Sequence, residues 1–214
     1  MPRMSSLHVA AEYGDVDMVK ALVEHLDVNE REPRLGRTPL HLAVKRDDYE
    51  ISRVLLENGA RATDVSNDNL TALHIAVANR SSSIVELLLE NGADVNLEFK
   101  FCGKTPLYMA VDYNCPKIVE ILLRAGASMR NAATPNSTLL DVAARIGSSL
   151  LWNMLLWYAQ VRMLWDFFEK QVPKERKANV QSFVFKYRES KCNALYVIEL
   201  KRNSMDQYQQ YEVL

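Results

Sequence analysis

One short pattern recurs five times along the chain. Ser5-Ser6-Leu7-His8-Val9-Ala10 is followed by Thr38-Pro39-Leu40-His41-Leu42-Ala43 and Thr71-Ala72-Leu73-His74-Ile75-Ala76. It returns as Thr105-Pro106-Leu107-Tyr108-Met109-Ala110 and Thr138-Leu139-Leu140-Asp141-Val142-Ala143. The first positions lie 33, 33, 34 and 33 residues apart. A second block follows in the middle three copies: I-S-R-V-L-L-E-N-G ending at Gly59, I-V-E-L-L-L-E-N-G at Gly92 and I-V-E-I-L-L-R-A-G at Gly126, each followed by alanine. A fixed period of this size marks a chain of stacked units. One such unit cannot bury its apolar face alone, whereas neighbours can bury one another's.

The residue types predict the shape of the unit. Threonine suits a helix start, where its hydroxyl caps free N–H groups. Proline next to it occupies the first helical position, where no N–H is needed. Leucine and alanine then face neighbouring helices. The second block is apolar at helical spacing, and its glycine suits a left-handed C-terminal cap. Each unit therefore reads as a short helix, a tight turn, a longer helix and an extended loop. The chain has only seven glycines, about 3% of 214 residues, roughly half the usual share. All seven fall at turns or caps. Gly36 and Gly103 precede the threonine by two, a place taken by Asn69 and Asn136 in other copies. Gly14 and Gly147 separate the two helices, where the fourth copy has Asn114.

The T-P-L-H-x-A motif, the period and the helix-ending Gly-Ala together resemble the ankyrin repeat. The resemblance covers residues 4–157, with units near 4–34, 35–67, 68–101, 102–134 and 135–157. It implies an all-α solenoid of paired antiparallel helices carrying turn and loop fingers. Residues 158–214 form an extension of no recognised family. The first repeat departs from the pattern, with Ser5-Ser6 for Thr-Pro and Leu26-Asp27 for Gly-Ala. The chain starts almost inside it, which leaves room for an upstream portion. The fourth repeat has one extra residue around Leu97-Glu98-Phe99-Lys100-Phe101. In the fifth, the second helix runs on through Trp152, Trp157 and Trp165 toward Val172. Beyond Pro173, Lys174–Lys177 reads as an exposed turn and Phe183, Phe185 and Tyr187 alternate as in a strand. Residues 195–200 either pair with that strand or form a helix. The tail 203–211 is polar and expected to fray.

Little in the chain suggests chemistry. Net charge is −1, unlike a strongly basic nucleic-acid binder, and no direct nucleic-acid contact is expected. Three cysteines, Cys102, Cys115 and Cys192, cannot pair completely, which favours a reducing compartment. A cytoplasmic location is expected, with the nucleus as a second one. No apolar stretch follows Met1, and the apolar segment 150–168 carries Asn153, Gln160, Arg162 and Asp166, so neither a signal peptide nor a membrane span is expected. His8, His41 and His74 recur once per repeat, about 10 Å apart. Zinc ligands must converge to about 2 Å. The resemblance makes these histidines structural, bonding the turns of adjoining repeats. The acid pairs Asp47-Asp48 and Glu30/Glu32 are expected to be solvated. No cofactor, metal or catalytic residue is assigned, and the chain is not expected to be an enzyme.

In ankyrin stacks the loop tips and first helices form a concave face on which partner proteins dock. Carried over by position, this face offers Tyr13, Arg34, Arg37, Lys45, Arg46, Asn79, Phe99, Phe101, Lys104 and Tyr113. Four cations of the second repeat, Arg34, Arg37, Lys45 and Arg46, suit an acidic partner segment. Phe99, Phe101 and Tyr113 suit an aromatic anchor. The expected function is a non-catalytic protein–protein interaction module, monomeric when unbound. The repeat count resembles short inhibitors of signalling factors, such as the inhibitors of NF-kappaB and the vankyrins, with a Rel-type transcription factor as partner. The alternatives are a substrate adaptor whose C-terminal segment recruits ubiquitin-ligase machinery, or a fragment of a larger ankyrin-repeat scaffold. Poxvirus-like adaptors of that kind end in an F-box-like segment, whose L-P motif is not found here.

Overall fold

A computed structural model describes residues 4–99, 103–129, 138–171, 182–188 and 195–201, with side chains through residue 160. The repeats form five helix pairs: α1 (Ser6–Tyr13) with α2 (Val16–Leu22), α3 (Pro39–Lys45) with α4 (Tyr49–Glu57), and α5 (Ala72–Ala78) with α6 (Ser82–Glu90). They continue as α7 (Pro106–Asp112) with α8 (Pro116–Arg124), then α9 (Leu139–Ile146) with α10 (Ser149–Gln171). The first helices pack in one row, α1 to α3 to α5 to α7 to α9, and α2, α4, α6 and α8 pack in a second.

Leu7, Leu40, Leu73 and Leu107 are buried in the first row, and the alanines three positions on, Ala10, Ala43, Ala76 and Ala110, let the rows approach. Ile51 with Leu55, Ile84 with Leu88, and Ile118 with Leu122 repeat one buried pair at a four-residue spacing along the second row. Leu151 and Leu155 provide the same pair at the start of α10. Each such side chain contributes about 1.5–3 kcal/mol by leaving water. The Tyr158 hydroxyl donates to the Leu123 carbonyl at 2.6 Å and ties α10 to α8.

Both turns of the unit need left-handed backbone. After the second helix, Gly59, Gly92 and Gly126 have φ of 87°, 80° and 85°. The following alanine N–H then bonds back to Leu55, Leu88 or Leu122. Between the helices the same geometry holds in all five copies: Gly14, Asp47, Arg80, Asn114 and Gly147 all have positive φ. There the next residue's N–H reaches the carbonyl of the motif alanine, as in Asp48 to Ala43 and Ser81 to Ala76. The glycines and Asn114 announce this turn in the sequence. Asp47 is tolerated there less readily than glycine, and Arg80 is held against its own preference by the turn's backbone bonds, Arg80 N–H to Val77 and Ser81 N–H to Ala76.

The chain divides into two compact units, Met1–Ala159 and Gln160–Leu214. In the second unit, β1 (Ser182–Arg188) and β2 (Leu195–Lys201) pair antiparallel. Phe183 stands opposite Leu200, Phe185 opposite Ile198 and Tyr187 opposite Tyr196. Of the two readings of residues 195–200, pairing is the one found. The expectations for Asn136, Lys174–Lys177, Cys192 and residues 203–211 lie outside the described residues.

Two opposite stability effects follow from the turns. A Cβ on Gly92 would meet nothing within 4 Å, so Gly92→Ala carries only the backbone cost of left-handed φ, about 1–2 kcal/mol. Arg80→Gly relieves that cost and offsets part of it with unfolded-chain entropy. Thermal melts should show Gly92→Ala lowering Tm by about 2–4 °C per kcal/mol and Arg80→Gly raising it. A rise for Gly92→Ala would contradict the assigned cap.

Candidate partner-binding face

The recurring motif first builds a link between repeats. The Thr38 N–H donates to His41 Nδ1 at 3.2 Å, and the Thr38 hydroxyl lies 2.8 Å from the same nitrogen. This leaves the proton on Nε2, which reaches the Leu70 carbonyl of the next repeat at 3.2 Å. His8 does the same with Ser5 and the Arg37 carbonyl, at 2.7 Å and 3.0 Å. Asp141 takes only the first half of the role, accepting from the Thr138 N–H at 2.7 Å. The Thr138 backbone and hydroxyl hold its carboxyl below the usual range. The structural role expected of the histidines is thus seen for His8 and His41, and Asp141 is explained by its capping half.

The ladder breaks at His74. Its Nδ1 lies 2.8 Å from the Thr71 hydroxyl. Among the described residues, however, its Nε2 has no hydrogen-bond partner. The equivalent carbonyl belongs to Lys104. That carbonyl and that of Leu97 favour the protonated ring without reaching hydrogen-bond geometry. The sequence spacing supplies the cause. Phe99 stands 33 residues after Ser66, whereas Lys104 stands 34 after Leu70, so the extra residue falls in the tip between them. Ser66 closes its own tip, with its hydroxyl donating to the Leu70 carbonyl at 3.0 Å. Phe99 has no hydroxyl to add but closes its tip through its backbone N–H, which donates to the Lys104 carbonyl at 2.9 Å, and its ring lies tilted 6.2 Å from that of His74.

A pocket of about 480 Å³ opens at this place, between repeats two, three and four. Leu70, Ile75, Ala78 and Met109 give it an apolar lining, with the rings of Phe99, Tyr113 and His74. Arg37, Lys45 and Lys104 supply the charge. Arg37 pairs with Asp68 at 3.0 Å and Lys104 with Asp112 at 3.0 Å. Burial works against the Asp68 charge, but the Ser66 hydroxyl and Arg37 hold its pKa below the ordinary value. Lys104 also lies 5.0 Å over the Tyr108 ring, the residue that replaces the histidine of the motif. Among the described residues, the two buried side-chain atoms without a hydrogen-bond partner, Arg37 Nε and His74 Nε2, belong to lining residues of this pocket. An unpaired buried donor costs about 1–3 kcal/mol.

The residues proposed from sequence are only partly gathered here. Arg37, Lys45, Phe99, Lys104 and Tyr113 line the pocket. Arg46 turns away: its guanidinium lies against Gly14 and reaches the Glu12 carbonyl at 3.5 Å. Asn79 uses its amide on the Val44 and Lys45 carbonyls, at 2.8 Å and 3.2 Å. Tyr13 is 75% exposed, and Arg34 is exposed in the tip before α3. The four cations of repeat two therefore do not form one cluster. Phe101 lies outside the described residues, as does Cys102, while Cys115 is a buried free thiol. His74, Leu70 and Met109 were not singled out as site residues, because each fits the apolar or structural pattern of the repeat. Of the acids expected to be solvated, Glu32 is only 9% exposed. Its backbone N–H closes the tip by bonding the Arg37 carbonyl.

Stacked helix pairs with loop tips along one side define a repeat-built binding protein. The chain belongs to the ankyrin repeat family, whose description, ankyrin repeats in three copies, matches residues 7–99 and 62–133. Over 54 residues it is 43% identical to a fowlpox virus (strain NVSL) protein named as an ankyrin repeat protein. That stretch is 25% of this chain and 18% of the relative. Ankyrin repeats are protein–protein interaction modules and typically non-catalytic. Among the described residues, no cluster of His, Cys, Asp or Glu could hold a metal, and no helix is long and apolar enough to cross a membrane.

The buried histidines make stability depend on pH. Burial lowers the pKa of His41 and His74 below their ordinary 6.5. A lowered folded-state value means that the unfolded chain binds protons first as pH falls. Their contribution is therefore present above pH 6.5 and is lost as pH drops below it. Tm should fall between about pH 7 and pH 5.5, and replacing both by glutamine should flatten that slope. An unchanged slope in the double variant would assign it elsewhere.

Proposed function

We propose that this protein binds another protein on the face shared by its first helices and loop tips, and that it regulates that partner by masking it. The observation that carries the reading is the pocket between repeats two, three and four, where apolar, aromatic and cationic side chains meet on that face. Exposed Tyr13 and Tyr113 extend the same face as candidate anchors. Tyrosine suits such a role because it combines large area with few rotors. Arg34, Arg46 and Asn79 belong to the proposed binding surface as flanking contacts. The finer reading, an inhibitor of a signalling or Rel-type transcription factor in the cytoplasm or nucleus, takes its support from the five repeats. The protein acts as a monomer until it meets the partner.

A second reading has its own observation. The compact unit Gln160–Leu214, with its β-hairpin, lies outside the residues that match the repeat family. A substrate adaptor would use such a unit to recruit ubiquitin-ligase machinery, and a larger scaffold would use it as a junction.

Affinity capture with the full chain separates these. Tyr13→Ala and Tyr113→Ala should each weaken capture of the partner about tenfold. Glu86→Lys, on the exposed side of α6, should leave it intact. The reverse pattern would move the docking face to the second helices. Deleting residues 173–214 should spare the partner, and loss of ligase components alone on that deletion would favour the adaptor.

A further inference from the structure

We infer that the pocket between repeats two, three and four reads a carboxylate of the bound protein, an Asp or Glu side chain flanked by an apolar residue. This rests on the first-helix face being the docking face, and it names what is recognised there. Lys45 is exposed at the pocket and has no ion pair among the described residues. Arg37 and Lys104 are each held by one carboxylate, Asp68 and Asp112. Asp112 is also bonded by Arg145 at 3.0 Å. Lys45 is thus the lining cation whose charge no carboxylate among the described residues answers.

The neutral groups point the same way. Leu70, Ile75 and Met109 keep part of the pocket dry, and charges attract more strongly where water is partly excluded. His74 is fully buried at the pocket, and among the described residues its Nε2 makes no well-formed hydrogen bond, although the Lys104 and Leu97 backbone favours its protonated ring. The Thr71 N–H and hydroxyl both point at Nδ1, so the proton sits on Nε2 and that atom is a donor. Arg37 Nε is a second donor without an acceptor. An ionised carboxylate only accepts hydrogen bonds, the complement of a wall rich in donors. An amine would bring only donors, and an amide, though its oxygen accepts, carries no charge to pair with Lys45. The volume of about 480 Å³ admits the acid together with the apolar side chain beside it.

The test probes the full chain with an array of random peptides. Bound peptides should carry Asp or Glu next to a large apolar residue. Lys45→Glu should weaken them about tenfold, Lys45→Arg should not, and exchanging the peptide's acid for lysine should restore binding to Lys45→Glu. Peptides without an acid, an array without binders, or binding indifferent to Lys45→Glu would each overturn the carboxylate pocket. Tyr13→Ala keeps the two readings apart, because Tyr13 lies on the same face but does not line the pocket. Binding lost with Tyr13→Ala but not with Lys45→Glu leaves the docking face standing without its carboxylate pocket. Binding indifferent to both removes the docking face as well.

Discussion

The first repeats of the stack are joined by a buried ring that bonds in two directions. A histidine three residues into the first helix accepts from its own repeat's cap through Nδ1 and donates from Nε2 to the tip of the next repeat. Local helix initiation and inter-repeat spacing are thereby set by the same side chain. The bond needs the acceptor carbonyl at a fixed distance along the chain, 29 residues from His8 to Arg37 and from His41 to Leu70. In those repeats this requirement reinforces the period that the apolar positions already set, since a hydrogen bond tolerates less slip than a packed leucine.

The functional interest lies where the rule fails. One added residue lengthens the fourth tip, where Phe99 stands in the place of Ser66 and where His74 Nε2, among the described residues, lacks the well-formed bond that His41 makes to the next repeat. The pocket beside this tip has in its wall an exposed lysine and, among the described residues, two donors without a well-formed hydrogen bond. Local frustration of this kind is expected where a protein keeps a surface for another molecule.

Much of the scaffold was legible because its signals are local. Threonine caps, prolines at first helical positions and glycines at left-handed turns act within a few residues, and repetition confirms them: the threonine heads four motifs, the proline follows it in two and the helix-ending glycine closes three units. The site was less legible. Arg37 and Lys45 were visible as charges, but their separation from Arg46 was not, because Arg46 is drawn back to the Glu12 carbonyl of the preceding repeat. Glu32 looked like a solvated acid and proved nearly buried, since its backbone closes a tip. His74 looked like its two predecessors and differs from them only through its neighbour's tip.

The sequence by itself determined the helix pairs, their order and their stacking, because capping chemistry and apolar spacing are written in every unit. It also determined that one tip is a residue longer than its neighbours. Only the tertiary structure decided what that residue does. Whether a carbonyl meets a ring nitrogen depends on how two repeats pack, and no single repeat contains both partners. The same holds for the charges: Asp68 and Asp112 select which cations are held and leave Lys45 exposed beside the pocket, through contacts made only once the stack has formed.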